Sequence, residues 1–154
     1  MKRVASVWAL VGVSLLFGFA VVRLSGRGFG TVSAGLTPTQ WLVLSLGVAF
    51  FVYTEGVMAL ERRWVPRLVD RARELRGESR VLHRALAPLY GMSLIGATPS
   101  RLRRAWLGVA AIVLLVTLIR ALPEPWRGIV DLSVAAALTW GVIAILRRLR
   151  SVAE

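Results

Sequence analysis

Four long runs of apolar residues constrain the fold of this chain more than any other feature. A helix that crosses a hydrocarbon layer of about 30 Å needs about 17–25 apolar residues. Four segments satisfy this requirement: residues 4–22, 41–60, 105–122 and 128–146. Each run is continuously apolar, whereas the strands of a membrane barrel alternate apolar and polar residues. The sequence therefore predicts an all-α, polytopic integral membrane protein with four transmembrane helices.

The overall composition agrees with this prediction and argues against several kinds of site. Apolar residues make up 56% and charged residues 18% of the 154 residues, compared with about 45–50% and about 25% in soluble domains. The four runs cover half of the chain, so we expect a single membrane domain over residues 1–154. With no Cys and one His, the chain has no residues for a disulfide framework or a Cys/His zinc site. We expect no cofactor, no bound metal and no enzymatic activity.

The distribution of Lys and Arg predicts the orientation of the spans. Most of the 20 basic residues lie at the N-terminus, in the loop 61–104 and in the C-terminal tail. Because Lys and Arg beside a span are retained in the cytoplasm, we expect both termini and this loop there. An alternative interpretation of the first run is a cleavable signal peptide, since Lys2 and Arg3 precede it and Gly18-Phe19-Ala20 resembles a small-x-small cleavage site.

Short sequence patterns mark helix starts and helix contacts. Thr37-Pro38 and Thr98-Pro99 each place a capping hydroxyl before a proline at the first helical position. Close helix packing in lipid favours small residues four apart, and two pairs have this spacing: Ser14-x-x-x-Gly18 and Ala137-x-x-x-Gly141. Such pairs fit a compact bundle or an oligomer equally well.

The loop 61–104 is predicted to contain amphipathic interfacial helices. In residues 64–75 the apolar side chains recur on one helical face and the charged ones on the other, and a similar stretch follows Ser79. Residues 85–98 are apolar but too short to span, so they either dip into the interface or pack against the cytoplasmic end of the bundle. Six arginines form a candidate surface for anionic lipid head groups or for a partner protein: Arg67, Arg71, Arg73, Arg76, Arg80 and Arg84.

The same arginines could serve only to retain the loop in the cytoplasm. The aromatic residues of the loop are not interleaved with the arginines as stacking platforms, so we expect no nucleic acid partner.

A few charged residues fall inside the predicted spans. Glu55 lies roughly 7 Å from the inner end of the second run by helical rise. With Tyr53 it could form an intramembrane polar site, or it could pair with a nearby arginine for structural reasons. Arg120 and Asp131 are expected to form an ion pair that closes the third and fourth spans. A substrate site that also includes Arg127 is the alternative.

Several short motifs outside the apolar pattern are specific enough to compare with known families. They are Tyr53-x-Glu55-Gly56, Ala87-Pro88-Leu89, the run from Leu122-Pro123 through Pro125-Trp126-Arg127-Gly128-Ile129 to Asp131, and Trp140-Gly141. In these motifs the chain resembles uncharacterised small bacterial inner-membrane proteins, over about residues 50–145. The resemblance implies a four-helix topology and a bacterial inner membrane, and it implies no activity.

The sequence therefore favours a non-enzymatic function. We expect an accessory, scaffold or assembly subunit of a larger membrane complex, in contact with the lipid bilayer and with other membrane subunits or further copies of itself. The alternative hypothesis is a small oligomeric transporter or channel that uses Glu55 as a polar site between protomers, because four helices in one protomer seldom enclose a pore.

Overall fold

The computed structural model describes residues 2–74 and 86–153, in which every regular element is a helix. The elements are α1 (Lys2–Ser33), α2 (Pro38–Phe51), a π-helix (Val52–Trp64), α3 (Val65–Glu74), α4 (Ala87–Gly91), α5 (Pro99–Arg120) and α6 (Trp126–Ala153). Four helical segments are long and apolar enough to cross a membrane: Ala5–Ser33, Pro38–Glu74, Pro99–Arg120 and Trp126–Leu149. The all-α class and the four candidate spans are therefore confirmed.

The helices extend beyond the apolar runs that predicted them. The first run was expected to end at residue 22, but α1 continues to Ser33. Arg23 interrupts the apolar pattern without interrupting the backbone hydrogen bonds. The helix stops at Gly35, whose φ of +96° is a conformation that favours glycine and whose N–H donates to the Val32 carbonyl. Hydropathy thus located the apolar part of the helix but not its end.

The second span, Pro38–Glu74, is one continuous helix that combines α2, the π-helix and α3. It starts as predicted, because Thr37 and Gln40 form a capping box. In the π-helix the backbone bonds run from residue i to i−5, as the Val65 N–H bond to the Leu60 carbonyl shows at its end. The Thr98 N-cap of α5 has the expected extended backbone but no side-chain hydrogen bond.

Helix α6 packs against both α1 and the second span. Against the antiparallel α1, Gly128 meets Thr31, and Leu132 lies over Gly28. Glycine allows this close approach because a Cβ atom at either position would overlap the side chain opposite.

The second span runs parallel to α6 and lies against it along much of its length. Gly47 approaches Ser133, Gly56 lies against the Ala137 carbonyl and Trp140, and Gly141 meets Leu60. The predicted Ala137-x-x-x-Gly141 pair is therefore part of a helix contact. Gly18, in contrast, has open space around it.

The end of the bundle that carries both termini, which we call the inner end, holds an apolar core. Side chains from α1, α3, α4 and α6 form it: Ala5, Ala9, Leu10, Val13, Val65, Leu68, Val69, Ala72, Ala87, Tyr90, Ala144 and Ile145. The predicted amphipathic pattern of α3 is thus real, but its apolar face packs on protein. Pro88 of α4 lies directly against Gly12 of α1. Residues 85–98 were expected either to dip into the interface or to pack against the bundle. Helix α4, which lies in this segment, packs against the bundle. The stretch after Ser79 lies largely outside the described residues.

Candidate functional site

Arg71 links α3 to the segment around α4 from a buried position. Its guanidinium donates to the Gly96 carbonyl at 2.8 Å and to the Tyr90 hydroxyl at 3.3 Å, and it forms a salt bridge with Glu74. The Tyr90 ring lies beneath it, 4.1 Å from ring centroid to Cζ. Gly96 adopts a φ of +61°, a conformation that favours glycine. Together Arg71, Tyr90 and Gly96, which we call the Arg71 clamp, fasten the loop to the bundle.

The clamp corrects the assignment of Arg71 to the exposed basic surface. Only 8% of Arg71 is exposed, because its guanidinium is enclosed between α3 and the α4 segment. Arg67 and Arg73 are exposed, as expected for the basic surface. Arg76, Arg80 and Arg84 lie outside the described residues. The described part of the candidate surface therefore consists of Arg67 and Arg73.

Polar side chains from three parts of the chain gather at the opposite end of the bundle, which carries the α1–α2 and α5–α6 connections and which we call the outer end. Thr31 donates to Glu124 at 3.0 Å, beside an open cavity of about 570 Å³. The lining residues come from the end of α1, the start of α2 and the α5–α6 connection: Arg27, Gly30, Thr31, Ala34, Gly35, Gln40, Glu124 and Pro125. Its polar groups are a guanidinium, an amide and a carboxylate, of which Gln40 also caps α2 and Glu124 accepts from Thr31.

The expected ion pair between Arg120 and Asp131 does not form. Asp131 is buried in α6, and its Oδ2 atom has no hydrogen-bond partner among the described residues. Arg127 and Arg27 are the cations near enough to attract its carboxylate. Arg120 is exposed at the end of α5, because α5 contacts α6 only slightly. Arg127 and Asp131 thus belong to the outer polar end of the bundle, and Arg120 stands apart from it.

Glu55 and Tyr53 are both exposed on the second span. They lie in the π-helix, next to Gly56, which packs on α6. Neither the expected arginine partner nor any other ion pair occurs at Glu55 within the described ranges. Arg23 is likewise exposed on α1 and has no ion pair there. The carboxylate of Glu55 and the guanidinium of Arg23 are therefore opposite charges without an ion-pair partner among the described residues, each on a helix long and apolar enough to span a membrane.

Helix α5 has no buried residue along its 22 positions. Its main contact with another described helix is a weak one with α6, to which the short outer connection joins it. Large apolar side chains are exposed all around it, among them Leu107, Ile112, Leu115 and Leu118. Among the described residues, therefore, most of the surface of α5 is left uncovered and can meet lipid or another protein.

Sequence reasoning missed the partners of several site residues. Arg71 lies at the edge of the apolar stripe of α3, so helical spacing alone could not separate it from the exposed arginines. Tyr90 and Gly96 are 19 and 25 residues further along the chain and appeared only as parts of an apolar stretch. The small residues Gly28 and Thr31 on α1 and Gly128 on α6 were the usable signal for the close contact of these two helices, because small side chains allow helices in lipid to approach closely.

Within residues 2–74 and 86–153, no group of three or more His, Cys, Asp or Glu side chains is placed to hold a metal ion. The described polar groups instead form the Arg71 clamp at the inner end and the cavity at the outer end. Comparisons with family models, with curated proteins and with solved structures give no match to this chain.

Proposed function

We propose that this chain is a non-enzymatic accessory or scaffold subunit of a larger complex in the bacterial inner membrane. The observation that supports this function is helix α5, which buries no residue and has only a weak contact with α6 among the described helices. Apolar burial contributes little to helix association in lipid, so a docked partner would be held by close packing and polar contacts. Gly108 of α5, which has open space around it, permits such close packing.

The inner end of the bundle supplies the second part of a scaffold. The Arg71 clamp and the apolar core fix α3 and α4 to the spanning helices, so that Arg67 and Arg73 are presented on a rigid base. Anionic lipid head groups are attracted to exposed cations at the membrane surface, by roughly 1 kcal/mol for each Lys or Arg. We assign these arginines to contacts with anionic head groups beside the complex.

The orientation in this proposal has both termini and α3 in the cytoplasm. Because the chain lacks Cys, single cysteines can report the side of the membrane. A cysteine replacing the exposed Ala34 should react with an impermeant thiol reagent in cells whose outer membrane is permeable. A cysteine replacing the exposed Arg73 should react only after the inner membrane is opened. Labelling in the reverse order would contradict the orientation.

Photo-crosslinking along α5 tests the proposed docking role. A photoreactive amino acid placed at successive positions 106–117 should crosslink to one discrete membrane protein in living cells. The yield should rise and fall with a period of about 3.6 residues, because one face of the helix meets the partner. A matched control is Phe19 of α1, which is also apolar and exposed. Lipid adducts alone at every α5 position, with no periodicity, would refute the accessory role.

The alternative function, an oligomeric transporter or channel, is favoured by one observation. Glu55 and Tyr53 are exposed on the outside of the protomer, so a polar path that uses them would run between protomers. The accessory role ranks first because the unpartnered helix α5 is a far larger unexplained surface than these two side chains.

A further inference from the structure

Contacts with α6 fix the depth of Arg23 in the membrane. Gly28 of α1 lies against Leu132 of the antiparallel α6. Arg23 precedes Gly28 by five residues in a continuous α-helix, and both helices rise about 1.5 Å per residue. Arg23 is therefore level with a position about five residues beyond Leu132, close to Ala137. This level is near the middle of the fourth span, Trp126–Leu149.

Contacts with α6 also give the depth of Glu55. Its neighbour Gly56 lies against the carbonyl of Ala137 and the side chain of Trp140. Glu55 is therefore also level with Ala137, on the other helix that α6 contacts. Arg23 and Glu55 thus lie at the same depth, one on α1 and one on the second span.

A ring contact at the inner end checks this result independently. Phe17 of α1 stacks on Trp64 of the π-helix, with ring centroids 5.4 Å apart. From this common level, Arg23 lies six residues further out along α1. Glu55 lies nine residues further out along the π-helix, whose i→i−5 bonds give more residues per turn and a smaller rise per residue. Both paths again end at a similar depth.

Neither charge has an ion-pair partner among the described residues of its own protomer. The described residues contain one salt bridge, between Arg71 and Glu74, and both Arg23 and Glu55 are exposed. A charged side chain in the hydrocarbon region costs at least a few kcal/mol, and such groups normally pair or face a wet cavity. An exposed cation and an exposed anion at one depth therefore each lack the partner that the membrane requires.

We propose that Arg23 of one copy pairs with Glu55 of a second copy within the membrane. Copies inserted in the same orientation are related by rotation about the membrane normal, so groups at equal depth in one protomer are at equal depth between protomers. The two charges are complementary, and the chain itself supplies both. This self-association goes beyond the proposed accessory role, because it uses α1 and the second span and leaves α5 free.

Charge reversal tests the pair in vesicles that contain two differently tagged copies of the full chain. Copurification of the two tags at fixed protein-to-lipid ratio measures self-association. Arg23→Glu and Glu55→Arg should each lower the copurified fraction by roughly tenfold or more, since like charges then oppose each other at an interface. The double variant should restore it. A matched control is Arg63→Glu, a reversal at an exposed arginine of the same span, which should leave it unchanged.

Cysteine crosslinking keeps the test independent of charge reversal and its effects on folding. Copies carrying only Val22→Cys should crosslink to copies carrying only Thr54→Cys, since these positions adjoin the two charges. Absence of this crosslink, single reversals without effect, or a double variant that fails to recover would each overturn the pair. Failure here with discrete α5 crosslinks retained would refute the pair and leave the accessory role standing. Absence of discrete α5 crosslinks, with the Arg23–Glu55 results as expected, would refute the accessory role and leave the pair standing.

Discussion

Replacement of Gly128 with alanine should destabilise the folded bundle by about 1–3 kcal/mol, the usual effect of an extra methyl group in a tightly packed site. A Cβ atom at Gly128 would overlap the Oγ1, Cβ and Cγ2 atoms of Thr31. These atoms lie close to the α1 backbone, so rotating the threonine side chain cannot remove the overlap. The helices α1 and α6 would have to move apart at the outer end.

Unfolding by SDS in mixed micelles, followed by tryptophan fluorescence, measures this loss of stability. Gly18→Ala is the matched control, because Gly18 is a helical glycine with open space around it. Its replacement should be neutral or stabilise the helix by up to about 1 kcal/mol. Thr31→Gly should relieve much of the penalty of Gly128→Ala when the two are combined, as a double-mutant cycle would show. Additive effects of the two substitutions would contradict direct contact.

The sequence predicted the number of long helices but not the full length of α1. The apolar runs predicted four helices, because a segment in lipid has no water to bond its backbone. A helix satisfies its backbone N–H and C=O groups internally. They could not predict that α1 extends through Arg23 and Arg27 to Ser33, since a charged side chain does not end a helix. Its true end depends on the local geometry at Gly35.

The candidate site was less predictable because it depends on which helices are neighbours. The expected Arg120–Asp131 pair assumed that consecutive spans pack together, a reasonable rule for short connections. In the structure α6 instead packs on α1 and the second span. Asp131 is therefore buried near Arg127 and Arg27, away from Arg120. The common depth of Arg23 and Glu55 likewise follows from the contacts at Gly28 and Gly56, which hydropathy does not encode.

Replacement of Arg71 with methionine should loosen the loop around α4, which the packing of Pro88 on Gly12 still holds to α1. It should cost about 1.5–3 kcal/mol, the usual contribution of hydrogen bonds to a charged group. Methionine keeps an apolar stem but cannot donate to the Gly96 carbonyl or the Tyr90 hydroxyl. Arg71→Lys should recover only part of the loss, because one ammonium cannot reproduce the planar guanidinium that bonds these partners and stacks on the tyrosine ring.

Arg67→Met is the matched control for the Arg71 clamp, because Arg67 lies one turn earlier on α3 and is exposed. It should change stability by at most about 0.5 kcal/mol, as surface substitutions normally do. Hydrogen exchange at the backbone amides of residues 89–94 gives a second readout, which should accelerate in Arg71→Met and not in Arg67→Met. Equal behaviour of the two variants would show that the guanidinium does not hold α4 to α3. Because α3 also carries Arg67 and Arg73, release of the clamp would leave these cations on a less rigid base, which links the stability of the inner end to its proposed contacts with head groups.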